Sequence, residues 1–132
     1  MANSLYDWGR DAFANGLIAW TTDTIKMIPL SSAYVPNLAT DKFLSDITTG
    51  ILDTAQPLTS KSTSAGSCLA GPVSFSGVAN GAIISQYVIY KDTGTSSTSR
   101  LIGYINVTVP YPVTSDGGTI SITFTGNVVF EL

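Results

Sequence analysis

The chain carries nine acidic residues, one cysteine and no histidine, and that combination limits the chemistry open to it. Without histidine the usual general base, the commonest metal ligand and the Ser-His-Asp arrangement are all absent. Cys68 lies in "AGSCLAGP" with no imidazole to draw off its proton, so it reads as a small packing residue and not as a nucleophile. Glycoside hydrolysis needs two opposed carboxylates. Asp41 and Asp46 flank one short turn, Asp7 and Asp11 share a helix, and Asp92 and Asp116 sit in turn sequences. Each has a simpler role as a cap, a solvated charge or a turn former. Asp92-Thr93-Gly94-Thr95 offers oxygen atoms to a calcium ion but lacks the further acidic residues of a calcium loop. Neither a Gly-rich phosphate loop nor an S-x-x-K spacing occurs. The expectation is a protein that is not an enzyme and uses no cofactor and no metal.

The elements that carry these residues belong to a chain of 132 residues, enough for one domain over 1–132. Apolar residues make up 44%, but charged residues only 11%, against about 25% in an average soluble domain. A surface rich in Ser and Thr and poor in charge repels neighbours weakly and suits a protein packed against others. Thr-rich strand faces account for the same composition. Net charge is −3, and Arg10, Lys26, Lys42, Lys61, Lys91 and Arg100 are scattered singly. No basic stripe exists, so no nucleic-acid partner is expected. "MANSLYDWGRDAF" does not read as a secretory signal, and no apolar run is long enough to suggest a membrane partner. A single cysteine excludes an internal disulfide. The sequon "NVT" at 106–108 carries no weight without a secretory signal.

Residues 1–16 are expected to form an N-terminal helix. In "NSLYDWGRDAFANG" Leu5, Trp8, Ala12 and Phe13 recur at helical spacing, Asn3 or Ser4 is placed to cap, and Asn15-Gly16 to stop. Asp7 suits the positive end of the helix. Gly9 weakens a helix by about 1 kcal/mol, and its missing side chain invites a close approach by another element. From 17 to 132 the chain reads as mainly β. "LIAWTTDTIKMIPL" predicts one or two strands, with Pro29 at a strand end or edge. "SSAYVPNLAT" is a loop held extended at Val35 by Pro36, and "TDKFLSDI" a short helical turn capped by Thr40 or Asp41. Short strands are expected near 51–60 and 72–78, with "SKSTSAGS" a mobile loop between them.

The later strands are plainer. "AIISQYVIYKD" is apolar on both faces, as a central strand is. In "RLIGYINVTV", over 100–109, Leu101, Gly103 and Ile105 alternate with Ile102 and Tyr104. "TISITFTG" buries Ile120, Ile122 and Phe124 on one face, "SDGG" at 115–118 is a turn, and "NVVFEL" is a last strand. Strands 82–91 and 100–109 form an antiparallel hairpin joined by "DTGTSSTS", with a positive φ at Gly94 and amide hydrogen bonds to Asp92. That tip is longer than a tight turn needs, which makes it a candidate contact loop. The expected fold class is mainly β: an antiparallel β-sandwich or barrel-like single domain with an N-terminal helix and one short additional helix.

The strings "LYDWGRDAFANGLIAWTTDTIKMIPL", "AYVPNLATDKFLSDI", "YKDTGTSSTSRLIGYI" and "PVTSDGGTISITF", in this order, resemble a family of small virion structural proteins of tailed bacteriophages. The middle, 50–80, resembles it least. The ending "FTGNVVFEL" departs from a pattern of a Trp-Asp strand followed by a basic residue, with Phe124 and Glu131 in their place. The resemblance implies a capsid decoration (cement) protein on the outer surface of the virion head, made in the host cytoplasm. The major capsid protein would be its partner, and the chain itself a homo-oligomer such as a trimer. Assembly contacts are then expected from the N-terminal helix (Leu5, Tyr6, Trp8, Phe13), the loop Tyr34, Val35, Pro36, Asn37, and the hairpin tip Asp92, Thr93, Gly94, Thr95. Three alternatives stay open. One is a tail-tube, neck or head-fibre component. Another is a host-surface or carbohydrate-binding module stacking on Trp8, Trp20, Tyr34, Tyr87, Tyr104 and Tyr111. The last is an enzyme with an unfamiliar carboxylate pair.

Overall fold

A computed structural model describes residues 2–106 and 113–132. Its centre is a five-stranded antiparallel sheet in the order β1-β9-β8-β2-β3. The strands are β1 (Ala2–Leu5), β2 (Ile25–Leu30), β3 (Gln56–Pro57), β8 (Gln86–Lys91) and β9 (Leu101–Asn106). Smaller antiparallel sheets pair β6 (Val73–Phe75) with β11 (Ile120–Ile122) and β7 (Ile83–Ile84) with β10 (Val113–Thr114). Another joins β4 (Ser62–Ser64), β5 (Ser67–Leu69) and β12 (Val128–Glu131). Among the described residues the fold is mainly β with one α-helix, α1 (Asp7–Ala14), and short 3-10 turns at Leu44–Asp46 and Thr125–Asn127.

The central sheet is buried on both faces. On one face Ile25, Met27, Tyr87, Ile89 and Ile105 join a core with Phe75, Ile122, Val129 and Phe130 from the small sheets. Phe75 stacks on Tyr87 at 5.8 Å between ring centroids. On the other face Ile28, Leu30, Val88, Tyr90 and Leu101 pack with Tyr6, Tyr34 and Ile47. The apolar character of both sides of "AIISQYVIYKD" therefore reflects a strand with β9 on one side and β2 on the other. Pro29 is the penultimate residue of β2, close to the strand end that proline favours.

A bulge sets the register of β9. Ile89 opposes Gly103 and Tyr90 opposes Leu101, so Ile102 is the extra residue. Strict alternation puts Leu101 with Ile105, and the bulge overturns that. Leu101 joins Tyr104 on one face, and Ile102 joins Ile105 on the other. The Ile102 carbonyl accepts the Tyr6 amide at 3.0 Å, which is where the chain leaves β1 and enters α1.

Several expectations are corrected. Residues 2–5 are strand and not helix, because their backbone groups complete the ladder of β9. The residue before α1 is Tyr6 in extended conformation, so neither Asn3 nor Ser4 caps the helix. The residues buried on α1 are Gly9 and Ala12. A Cβ at Gly9 would clash with the Ile102 carbonyl, so the close approach that the glycine invites does occur. Residues 17–24 form turns and no strand; Trp20 is buried there and its indole N–H donates to the Leu69 carbonyl at 2.9 Å. "SKSTSAGS" is no loose loop: β4 and β5 form a hairpin turning at Ala65 and Gly66, both at positive φ (48° and 85°). The turn in "TDKFLSDI" is capped from within by Asp46, whose carboxylate accepts the Lys42 and Phe43 amides, and not by Thr40 or Asp41. The strand in "TISITFTG" ends at Ile122, although Phe124 is buried as expected. Residues 107–109 of the predicted 100–109 strand, the sequon beyond Asn106, and Tyr111 lie outside the described residues.

Candidate functional site

The hairpin tip is built by its own polar side chains. Gly94 takes a φ of 84°, and the Asp92 carboxylate accepts its amide at 3.0 Å. The other Asp92 oxygen pairs with Lys26 at 2.9 Å. Lys26, then the Gly94 amide, hold Asp92 below the ordinary carboxylate range. Buried Ser99 donates to the Thr95 carbonyl at 2.8 Å and accepts the Thr93 amide at 3.1 Å. The Thr93 and Thr98 hydroxyls lie 2.6 Å apart. Thr93, Gly94 and Thr95 remain exposed. The tip is thus preorganised, and both Asp92 oxygens that a calcium ion would need are already engaged.

The segment 31–47 crosses the second face of the central sheet and ties this tip to the rest. Gln86, buried on β8, donates to the Ser31 and Tyr34 carbonyls. Tyr34 donates to Asp41 at 2.7 Å, and the Tyr6 hydroxyl lies 2.7 Å from that of Tyr34. The Asn37 amide donates to the same Asp41 oxygen at 3.0 Å. Burial pushes the Tyr6 and Tyr34 phenols far above their ordinary range. The Asp7 amide at the start of α1 donates to the Leu38 carbonyl at 2.9 Å. Further along, the Leu44 amide donates to the Ser99 carbonyl at 2.8 Å and the Ser45 amide to Ser96 at 3.1 Å. Lys42 lies 4.2 Å above the Trp8 ring, and Phe43 bridges to Arg100 beside the hairpin base.

The start of α1, the Tyr34–Asn37 loop and the tip 92–99 are therefore joined into one continuous patch by residues 38–46. Its exposed members are Trp8, Val35 (79% exposed), Asn37 and Thr93–Thr95, with Pro36 and Asp92 half-buried. Tyr6 and Tyr34 are buried. They are corrected from contact residues to internal struts, because their phenols pair with each other and with Asp41. Leu5 and Phe13 are half-buried and lie elsewhere, along grooves beside β12 and Leu132. Sequence reasoning missed Asp41, Lys42, Phe43, Ser99 and Arg100. The run of hydroxyls in "TSSTS" is the one local signal that could have found Ser99; nothing local signals that Lys42 and Arg100 meet at one ring.

Other chemistries find less support. Trp20, Tyr34 and Tyr87 are buried and Tyr104 is half-buried against the core, so these aromatics form no stacking platform. None of the grooves along α1, β2 and β12 is lined by two Asp or Glu side chains. Burial opposes ionisation of Asp23, but the Ala19 amide, Lys91 and Lys61 outweigh it and lower its pKa. Asp23 and Asp92 thus shift away from the range a general acid needs. Burial pushes the Cys68 thiol up, opposite to the activation of a nucleophile. Among the described residues no three His, Cys, Asp or Glu side chains cluster as a metal site. Comparison with known protein families finds no family model that matches the chain, and comparison with curated proteins finds no match either.

Proposed function

We propose that this chain is a non-enzymatic structural protein of a tailed-phage virion, a decoration protein that docks on the outer capsid and bridges adjacent subunits of the major capsid protein. The observation that carries the reading is the patch just described. Three sequence-distant segments, the start of α1, the Tyr34–Asn37 loop and the tip 92–99, meet through a hydrogen-bonded strap and hold an exposed Val35 and a preorganised tip. Rigid loops lose little entropy on docking, and modest contacts repeated over a symmetric shell sum to a large effect. The low charge of the chain and the strings that resemble phage virion proteins support the same reading. The chain would act as a homo-oligomer, such as a trimer where capsomers meet.

The test is a cryo-EM map of virions carrying this chain, with its copies located and counted. Density bridging neighbouring capsomers on the outer shell is the expected result. Density at the neck, tail or head fibres would overturn the decoration role and leave a structural one. Absence from purified virions would overturn both.

A further inference from the structure

Of the six basic side chains, four are engaged within the fold. Arg10 pairs with Asp7, Lys26 with Asp92 and Lys91 with Asp23, and Lys61 donates to the Asp23 carbonyl. The remaining two, Lys42 and Arg100, have no ion pair and no side-chain hydrogen bond among the described residues, and both lie against the same ring. Lys42 Nζ is 5.3 Å from the Phe43 centroid and 4.2 Å from that of Trp8, and Arg100 Cζ is 5.4 Å from the Phe43 centroid.

The nearby carboxylates are engaged in local hydrogen bonds. Asp41 accepts from Tyr34 and Asn37, and Asp46 accepts from the Lys42 and Phe43 amides. Neither comes within ion-pair distance of Lys42 or Arg100. Cation–π contact orients the two cations but leaves their N–H donors open. We propose that Trp8, Lys42, Phe43 and Arg100 form a docking spot for an Asp- or Glu-bearing loop of a protein partner, the guanidinium and ammonium receiving its carboxylates and the rings its apolar flank.

An arginine fork matches a carboxylate, and packing against rings lowers the cost of drying the contact. Two cations on a chain of net charge −3 make no track for a nucleic-acid backbone. On the assembly reading, which this inference deepens, the spot names the chemistry of the capsid surface that the patch meets.

Two probes test it. In the first, an acetylated hexaglutamate peptide is titrated into the whole chain at low salt and followed by NMR. Shifts should centre on Trp8, Lys42, Phe43 and Arg100, weaken as salt is added, and fall at least about tenfold in Lys42→Gln/Arg100→Gln. Arg100→Lys and Lys42→Gln alone guard against a misfolded double variant. Shifts centred on Lys26, Lys61 or Lys91, no shifts at all, or stronger binding of an oligonucleotide at the same residues would overturn the proposal.

In the second, the chain is co-sedimented with phage heads that lack it. Wild-type binding lost in the double variant supports the proposal. Equal binding by wild type and variant overturns it and leaves the assembly reading standing. No binding by wild type sinks the assembly reading, and the peptide then decides the proposal alone.

Discussion

The hydroxyls of Tyr6 and Tyr34 lie 2.7 Å apart in a buried contact between residues 28 positions apart in sequence. Because Tyr34 spends its proton on Asp41, the proton between the two rings belongs to Tyr6. The relay pins the strap to the junction of β1 and α1. Tyr34→Phe leaves the buried Tyr6 hydroxyl without its acceptor, and should destabilise the fold by about 1–3 kcal/mol. Tyr6→Phe keeps the Tyr34–Asp41 bond and should cost less, about 1 kcal/mol. Urea unfolding of both variants checks the order, and an equal or reversed order would reject this assignment of the protons.

Tyr87 presents the opposite case. Its hydroxyl is buried and has no hydrogen-bond partner among the described residues, while its ring stacks on Phe75. Removing an unsatisfied buried polar atom relieves a desolvation cost. Tyr87→Phe should therefore be neutral or raise the melting temperature, against the loss expected for most core changes. Differential scanning calorimetry decides it.

Gly9→Ala should destabilise, although alanine favours helices by about 1 kcal/mol over glycine. The added methyl meets the Ile102 backbone at the bulge, which cannot yield as a side-chain tip would. A net loss of about 1–3 kcal/mol is expected. Gly103→Ala should behave alike, since its Cβ would lie 2.5 Å from the Ser4 carbonyl oxygen of β1 and 2.7 Å from the Phe130 ring. Thermal melts of both variants against wild type measure it, and a stabilised Gly9→Ala would contradict the packing.

Ser99→Ala should loosen the tip with little effect on the core. It removes the hydroxyl that joins Thr95 and Thr93, at a cost of about 1–2 kcal/mol. Amide hydrogen exchange should quicken at Thr93 and Thr98 and stay slow in β8 and β9. On the assembly reading, head binding should weaken with it.

Stability should fall at both ends of the pH scale. Asp92 and Asp23 are lowered from an ordinary 3.8. Their contribution is present in full above that value and is lost as pH falls through the lower folded values. At the alkaline end burial, then the charge of Asp92, pushes Tyr90 from 10.0 up to about 12. Its neutral form stabilises the fold below pH 10, and that contribution drains away as pH rises towards the folded value. Urea midpoints should be flat between roughly pH 5 and 9 and drop outside that window. Asp92→Asn should shallow the acid limb, and an unchanged limb would remove Asp92 from it.

Local chemistry settled a good deal of this protein. The β-branched and aromatic runs of 86–91 and 101–106 are strands because such side chains fill a pleated, buried surface. "DTGTSSTS" is a hairpin tip because Asp92 and Gly94 satisfy a turn without outside help. The absence of histidine removes the Ser-His-Asp arrangement and the commonest metal ligand whatever the fold.

Only the tertiary structure decided the rest. Residues 2–5 are strand because β9 offers them a ladder, and no local signal reports that distant edge. Helical spacing nominated Leu5, Trp8, Ala12 and Phe13; of these the helix buries Ala12, and beside it Gly9, since the Ile102 backbone comes too close there for a side chain. The bulge at Ile102 reassigns Leu101 to the opposite face, because one extra residue inverts a period of two. Lys42 and Arg100 meet at Phe43 through the pairing of the strap with the hairpin base. Charges scattered along a chain become a site only when strands from distant positions are laid side by side, and that pairing is written in no single segment.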